Sequence, residues 1–556
     1  MNRQDNMPGY LLAGLLLLTL ARLIIAGFTE LSADEAYYYM WAQRLDWSYY
    51  SKGPGIATAI WLSTSIFGQS ELGIRIPASL LALVSSLVLW RLIRNMFDRK
   101  VASWTLVILN LTPIFNAGSL LMTIDPLSIT FWIATMSFLW QALNTDQPVS
   151  RQWLLAGLMI GLGFLCKYTN ALQLVAVVLL LSCSKRWRPH LLKPGPYIML
   201  AVFILCTIPV WLWNAQNHWI TFTHLKDHTV TDPGSSSFNL LELGQFLGGH
   251  LFVYSPLFFI GLAWAIFRGS RNLCRGNSEA FLISFALPIL ALYLIISLRN
   301  AGELNWTAPG IISATALLPY YWRNIRILPR SKKTIQTVAF ILAAALTLLM
   351  MNTDMPRAAG LRWGYSHNTT HPSKPLSAHL KEPHMALDNA ADFSTRLRGW
   401  STTAAHLAKW INKIAADKET DIFLIANRYQ TAAAMNYYLP QDLPIIHPTN
   451  RHPRVHTPES STPVHQFSFW PGYSNPAFPQ PAVGLKSNSS AIRNSQFLGK
   501  TGIYLSDDAS RKSPPVAVKT AFSEWDLVDV VHILRRKKTM RTIKIFVCRN
   551  YTGFNL

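Results

Sequence analysis

Charged residues are scarce in this sequence. They make up 14% of its 556 residues, whereas hydrophobic residues make up 50%. Soluble domains carry about a quarter charged residues, so the deficit argues against a soluble protein and favours one embedded in lipid. Cysteine is also sparse, because the chain has only five. They form no CxxC pair and no even-numbered set, which argues against a cysteine zinc site and against a disulfide framework.

A basic block with interleaved aromatic residues is missing as well, although the formal net charge is +22. Lys and Arg are shared evenly between residues 1–351 and 352–556 instead of collecting in one stretch. A nucleic-acid groove needs such a concentrated patch. We therefore expect no nucleic-acid partner.

Long apolar runs, by contrast, are abundant. A membrane-spanning helix needs about 20 mostly apolar residues. Runs of this kind predict a polytopic α-helical membrane protein with about eleven spans. The fifth and sixth runs are short and are compatible with a broken or tilted pair. The runs lie near 9–28, 73–93, 101–121, 124–142, 152–166, 168–183, 197–213, 243–267, 279–298, 304–322 and 334–351.

The loop charges predict the orientation. Lys and Arg concentrate in alternate loops, which would all be cytoplasmic if the N-terminus is cytoplasmic, as the positive-inside rule requires. Most acidic residues of the membrane part fall in the other loops. The odd number of spans then places the C-terminal region outside the cytoplasm. The positive loops are 91–101, 142–152, 184–194, 267–276 and 321–333.

The first outer loop, 29–72, is too long to be a mere connector. Tyr37, Trp41 and Leu45 follow one another at helical spacing and form one apolar stripe, which predicts a helix lying flat in the membrane interface. The apolar stretch 55–67 is too short to span and is predicted to be interfacial too.

The composition changes after residue 351. We predict a catalytic membrane domain over 1–351, a linker-like segment over 352–400 and a small extracytoplasmic α/β domain over 401–556. In the last, helix-like stretches cover 402–414 and 429–439, strand-like stretches cover 422–426, 502–505 and 542–548, and 440–500 is irregular. The Asn427–Gln430 segment could contact an acceptor or cap a helix, and we favour the cap.

Ionisable residues at membrane boundaries are costly and so suggest function. Any one of them could be an ordinary loop charge or a snorkelling side chain, but together they fall on one predicted side of the membrane. Cations there can neutralise a lipid phosphate, and a carboxylate can act as a general base toward an acceptor hydroxyl. This combination suits a transferase that uses a polyprenyl-phosphate sugar. The residues are Asp34, Glu35, Lys52, Asp125, Lys167, Arg299 and Glu303.

Three stretches resemble the GT-C glycosyltransferases, and more narrowly the bacterial family 39 members related to protein O-mannosyltransferases and to the aminoarabinose transferase of lipid A. The most specific is the loop from Asp34-Glu35-Ala-Tyr-Tyr-Tyr to Tyr49-Tyr-Ser-Lys-Gly-Pro54. The other two are 157–169, which ends in Cys-Lys-Tyr-Thr, and 303–309, Glu-Leu-Asn-Trp-Thr-Ala-Pro. Asp125, in Thr-Ile-Asp-Pro, is similar to the second external acidic position of that family.

The resemblance implies a GT-C fold, an inverting reaction and Asp34 as the catalytic base. It also implies that Glu35 lies beside the base, with Lys52, Lys167 and Arg299 near the phosphate. We add Tyr38, Asp125, Glu303 and Asn305 to the predicted substrate-binding residues. Two departures stand out. The Lys-Pro-Pro frequent in the family is Lys52-Gly-Pro here, and Tyr37-Tyr38 replaces an Arg-Tyr that would supply a phosphate contact.

The expected partners are a polyprenyl-phosphate sugar donor, membrane lipids and an acceptor that could be a lipid, a glycan or a protein. We expect no metal and no cofactor, although some GT-C enzymes need a divalent cation. The expected location is the bacterial inner membrane. The alternatives are a transporter or lipid flippase, which would place ionisable residues near the bilayer midplane on interrupted helices, and a receptor or scaffold signalling through its C-terminal region.

Overall fold

The protein folds into two compact units in a computed structural model. The helical unit comprises Met1–Phe28 and Asp46–Asn352, and the sheet unit comprises Thr29–Leu45 and Thr353–Leu556. The predicted linker, 352–400, lies almost wholly outside the described residues. The structure describes residues 6–145, 147, 150–229, 239–326, 328–351, 397–418, 421–446, 453–460, 463–473, 496–535 and 538–553.

The described part of the helical unit is built from α-helices and short 3₁₀ turns. These helices are α1 (Gly9–Gly27), α3 (Gly55–Phe67), α4 (Glu71–Met96), α5 (Arg99–Asn110), α6 (Pro113–Leu120), α7 (Ile124–Leu143), α8 (Arg151–Cys166), α9 (Leu172–Cys183), α10 (Gly195–Gln216), α11 (Ile220–Thr229), α12 (Leu240–Val253), α13 (Pro256–Ser270), α14 (Ser278–Ser297), α15 (Ala308–Ala314), α16 (Leu317–Arg323) and α17 (Pro329–Met351). Helix α2 belongs to the sheet unit.

Six of these helices are long and apolar enough to cross a membrane, and two bent helix pairs raise the number to eight if each pair is one span. The six are α1, α4, α7, α10, α14 and α17. The predicted runs 152–166 and 168–183 form shorter apolar helices. The chain is therefore a multi-span helical protein, and the count of about eleven spans stays a prediction.

The predicted span 101–121 is bent by 68° between α5 and α6. Pro113 begins α6 and has no backbone N–H to continue the hydrogen bonding of α5. The break brings two amides to a buried cation, because Arg22 of α1 donates to Asn110 at 3.1 Å and to Asn116 at 2.7 Å. A guanidinium in an apolar helix is thereby paired inside the protein.

The predicted span 243–267 bends by 111° between α12 and α13. The elbow is Tyr254-Ser255, followed by Pro256 at the start of α13. Ser255 has φ 67° and ψ 130°, a conformation that a residue with a Cβ rarely adopts. One straight helix is therefore wrong for this segment.

The predicted span 304–322 is interrupted too. It forms a 3₁₀ turn, Leu304–Thr307, and then the two short helices α15 and α16. Pro309 lies in the first turn of α15, where its missing N–H costs nothing. Hydrophobicity alone could not reveal this break, since the residues on both sides of it are buried and apolar.

Helices α8 and α10 approach each other closely at Gly157. A Cβ on Gly157 would lie 2.3 Å from the backbone oxygen of Met199. Small residues allow such contact between apolar helices, where lipid gives no hydrophobic driving force. The glycines of this stretch are therefore packing positions.

The sheet unit contains a five-stranded mixed sheet in the order β2-β1-β3-β5-β4. Strand β1 is parallel to β2 and β3, and β5 is antiparallel to β3 and β4. Buried aromatic residues, among them Phe423, Tyr504 and Phe546, form its core. The described elements are α2 (Ala33–Ala42), α18 (Trp400–Lys418), β1 (Ile422–Ala426), α19 (Tyr429–Tyr438), β2 (Val455–His456), β3 (Thr501–Ser506), α20 (Val516–Lys519), β4 (Phe522–Arg535) and β5 (Lys538–Tyr551).

The elements of the sheet unit match most of the predicted stretches. The strands expected at 422–426 and 502–505 are β1 and β3, and the one expected at 542–548 lies within β5. The helix expected at 429–439 is α19. Strand β4 was not predicted, and it is long because it pairs with β5 along nearly its whole length.

Helix α2 does not present its aromatic stripe to lipid, as the spacing predicted. Tyr37 and Trp41 are 6% and 0% exposed, and the Tyr37 ring packs on Tyr429 and Phe467 of the same unit. Only Leu45 of that stripe, beyond the helix end, is exposed. The stripe was wrongly assigned because protein and lipid select the same apolar pattern.

Candidate active site

The acidic pair begins helix α2 through a capping box. The side chain of Ser32 accepts a hydrogen bond from the N–H of Glu35, and the Glu35 carboxylate accepts one from the N–H of Ser32. Glu35 is fully buried, whereas Asp34 is exposed. The two adjacent acids therefore differ in access: Asp34 can meet a substrate, and Glu35 holds the helix start.

Two tyrosines that follow the acids differ in the same way. Tyr37 is buried, and its hydroxyl accepts a hydrogen bond from the backbone N–H of Gln466 at 2.6 Å. Burial, together with the nearby Tyr429, raises the pKa of Tyr37 well above its ordinary value. Tyr38 is half-buried, and its ring contacts Tyr37 and Trp41. Tyr37 therefore anchors the helix, and Tyr38 keeps part of its ring accessible.

In the helical unit, three predicted site residues come together. The Lys167 ammonium lies 2.8 Å from an Asp125 carboxylate oxygen, and the amide of Asn305 donates to the other oxygen at 2.5 Å. The side chains of Lys167 and Asp125 are only 7% and 12% exposed. Asp125 lies in the first turn of α7, where the helix dipole favours a negative charge.

This arrangement leaves binding capacity in Lys167. An ammonium has three N–H donors, and one of them is directed at Asp125. The others can meet the oxygens of an anionic ligand. Because the charge is already held in a water-poor place by Asp125, a phosphate would meet a preorganised cation.

The Lys52 segment runs beside the end of α8, next to Lys167. A Cβ on Gly53 would lie 2.3 Å from the backbone oxygen of Leu165, so no larger residue fits without a shift. The hydroxyl groups of Ser48 and Tyr168 are 3.3 Å apart and join the same two segments. The glycine that departs from the family's Lys-Pro-Pro therefore marks a close backbone approach.

The remaining predicted residues are less enclosed. Arg299 follows α14 and is exposed, and Glu303 is exposed at the start of the 3₁₀ turn that carries Asn305. Their assignment to substrate stays a prediction, as does that of Lys52, which is half-buried. Within the residues that the structure describes, no three His, Cys, Asp or Glu side chains converge as metal ligands.

Sequence reasoning missed the elbow between α12 and α13. The Tyr254 hydroxyl and the Ser255 Oγ are buried, and neither has a hydrogen-bond partner among the described residues. Tyr254 lies near enough to Asp125 to interact with its charge, and Tyr293 interacts with both Asp125 and Lys167. Buried polar groups normally have partners. The sequence signal that could have revealed this elbow is Ser255-Pro256 within an apolar run.

The comparisons with known proteins agree with this chemistry. A family model described as dolichyl-phosphate-mannose-protein mannosyltransferase matches residues 51–213, which contain Lys52, Asp125 and Lys167. The lipid A galacturonosyltransferase of Rhizobium johnstonii is 27% identical over 307 residues, which cover 54% of this chain. The match spans 62% of the length of that relative.

A second relative is matched over more of its length. The undecaprenyl phosphate-alpha-4-amino-4-deoxy-L-arabinose arabinosyl transferase of Pseudomonas paraeruginosa is 30% identical over 414 residues, covering 69% of this chain and 70% of the relative. The crystal structure of ArnT from Cupriavidus metallidurans bound to undecaprenyl phosphate has a similar fold. The TM-score is 0.58, with 96% of this chain and 97% of that one covered at 15% identity.

Proposed function

Because this chain belongs to the GT-C superfamily of glycosyltransferases, in the group that contains the undecaprenyl-phosphate aminoarabinose transferases, we propose that it transfers a sugar from undecaprenyl phosphate to a lipid acceptor of the lipid A class. The observation that carries the proposal is the buried ammonium of Lys167, held by Asp125 and Asn305. A cation in that setting suits the phosphate of a lipid-linked donor.

In the proposed reaction Asp34 takes the proton of the acceptor hydroxyl, whose oxygen attacks the anomeric carbon of the donor sugar. The bond from that carbon to the phosphate oxygen breaks, and its electron pair stays on the phosphate. Undecaprenyl phosphate leaves, and the configuration at the anomeric carbon inverts. Lys167 and Lys52 stabilise the negative charge that grows on the leaving phosphate.

Two features of the described residues support these roles. Asp34 is exposed, as a base that must meet a substrate hydroxyl has to be, whereas Glu35 is consumed by the helix cap. Lys167 is buried among groups that keep it charged and oriented. We further propose the bacterial inner membrane, with the N-terminus in the cytoplasm and Asp34 on the extracytoplasmic side, as the loop charges indicate.

The test compares envelope glycolipids of cells with and without the gene by mass spectrometry. Loss of one sugar mass from lipid A, with accumulation of its undecaprenyl-phosphate precursor, is the expected result. Cells that carry Asp34→Asn should resemble the deletion while holding normal amounts of inserted protein. Wild-type glycosylation by this variant would refute the base, and unchanged glycolipids in the deletion would refute the function.

The orientation has its own test. A cysteine placed at position 34 should react with a membrane-impermeant maleimide added to spheroplasts, where the outer face of the inner membrane is accessible. Labelling only after the membrane is permeabilised would place this residue in the cytoplasm and would contradict the proposal.

A further inference from the structure

The helix that carries Asp34 is held by the C-terminal part of the chain. Helix α2 packs on α19, where the Tyr37 ring lies 4.5 Å from that of Tyr429 and the Tyr39 ring lies 5.1 Å from that of Tyr437. The hydroxyl of Tyr438 accepts a hydrogen bond from the N–H of Leu31 at 2.7 Å. Residues 29–45 therefore form one compact unit with residues that follow them by about four hundred positions.

Tyr429 opens helix α19 at a fixed place. Asp507, directly after β3, accepts hydrogen bonds from Asn427 at 2.7 Å and from Thr431 at 3.1 Å. Arg428 is the N-cap residue but its side chain forms no cap bond. The cap that we favoured for this segment is therefore not made by its own side chains. The Asn427 amide instead ties the start of α19 to the edge of β3.

Asp34 and Tyr37 lie three residues apart and thus on the same face of α2. Tyr37 contacts Tyr429, so the start of α19 lies along the face that carries Asp34. Burial and then the negative charge of Asp34 raise the pKa of Tyr429. Its phenol is therefore protonated at physiological pH and can donate a hydrogen bond next to the carboxylate.

The surroundings of Tyr429 suit a sugar. Tyr429 and Tyr38 are half-buried, so part of each ring remains accessible. His465 packs on Tyr429 with ring centroids 5.6 Å apart, and its Nδ1 is buried without a hydrogen-bond partner in the part of the chain that the structure describes. Aromatic faces combined with a few oriented polar groups are what saccharide and other small-ligand sites offer.

Resting on the proposed function, we propose that Tyr429 is an acceptor-binding residue, whose phenol donates a hydrogen bond to the saccharide head of the acceptor while Asp34 receives the proton of the attacking hydroxyl. The sheet unit then has a part in substrate recognition, at a position outside the stretch that the family model matches. Tyr37 and Asp507 act as positioning residues, since they fix Tyr429 and α2 and are held within the unit themselves.

The experiment measures binding of lipid A in detergent micelles to the full-length purified protein, without any donor. Tyr429→Phe removes one hydroxyl and should weaken lipid A binding about tenfold, the typical effect of one hydrogen bond. Tyr437→Phe is the matched control, because it removes a hydroxyl from the same helix and the same contact with α2. It should bind lipid A as the wild type does.

Asp34→Asn and the transfer assay separate the two proposals. If Asp34→Asn abolishes transfer while Tyr429→Phe binds lipid A normally, only the role of Tyr429 is overturned. If Asp34→Asn transfers normally, the base is wrong, whatever Tyr429 does. A wild-type protein that does not bind lipid A would overturn the acceptor-binding role as well.

A fold defect in Tyr429→Phe is recognised with a second variant. Tyr429→His keeps a ring and an N–H donor and should recover most of the affinity. Equal loss of affinity in Tyr429→His and Tyr429→Phe, or an equal loss in Tyr437→Phe, would mean that the ring contact with α2 matters and that the hydroxyl binds nothing.

Discussion

The buried pair of Asp125 and Lys167 can be tested by removing the ammonium in Lys167→Met. The two side chains are 7% and 12% exposed and lie 2.8 Å apart. Loss of one partner of a buried ion pair costs about 3–5 kcal/mol, mainly because the other charge stays buried alone. Asp125 would keep its hydrogen bond from Asn305, so we expect the lower end, about 3 kcal/mol.

The double variant Asp125→Leu, Lys167→Met separates stability from transfer. It removes both charges and replaces them with apolar groups of similar size, which is often nearly neutral for stability. It should therefore recover most of the 3 kcal/mol lost in the single variant. Transfer should stay low, because the donor phosphate has lost a cation, at a cost of about 10–100-fold in kcat/KM.

The assay is unfolding in mixed micelles titrated with SDS, followed by tryptophan fluorescence, together with transfer at subsaturating donor. The reasoning fails if Lys167→Met unfolds at the same SDS fraction as the wild type. It also fails if the double variant regains full transfer, since the pair would then serve the fold alone.

Three further outcomes are expected. Gly53→Ala should lower the transfer rate at least tenfold because its Cβ meets a backbone oxygen, whereas Gly118→Ala, with no atom within 4 Å, should be active, and equal rates would contradict the close approach. Ser32→Ala and Ser70→Ala each remove an N-cap and should each cost about 1 kcal/mol in unfolding, but only the first should slow transfer, because only it supports α2. Burial lowers the pKa of His465 to about 4, whereas the unfolded chain takes up this proton near pH 6.5. Stability of the sheet unit should therefore fall by about 3 kcal/mol from pH 6.5 to pH 4, and His465→Phe should flatten this pH dependence in thermal unfolding scans.

The membrane part shows how far hydrophobic pattern carries a prediction. Each predicted apolar run coincides with helix in the structure, because a run of apolar residues must satisfy its backbone groups internally when it lies in lipid. The pattern did not reveal the elbow at Ser255 or the break within 304–322. Both sides of these breaks are apolar, so only the local backbone geometry distinguishes them from straight helices.

The candidate site was found residue by residue but not in its contacts. The sequence placed Asp125 and Lys167 at helix ends on one predicted side of the membrane. It could not show that they pair across 42 positions, or that Asn305 reaches Asp125 across 180. The roles of the adjacent acids could not be separated either, because access depends on which one the capping box buries.

The amino-acid sequence by itself determined the membrane character and the helical segments, since hydrophobicity and helical periodicity are local properties of the chain. It also located the acidic loop and the lysines through their resemblance to a known family. The tertiary structure decided which charges neutralise each other, where the helices break and what covers the aromatic face of α2. Those outcomes depend on contacts between residues far apart in the chain, such as Tyr37 with Tyr429, and no local pattern encodes the partner of a buried side chain.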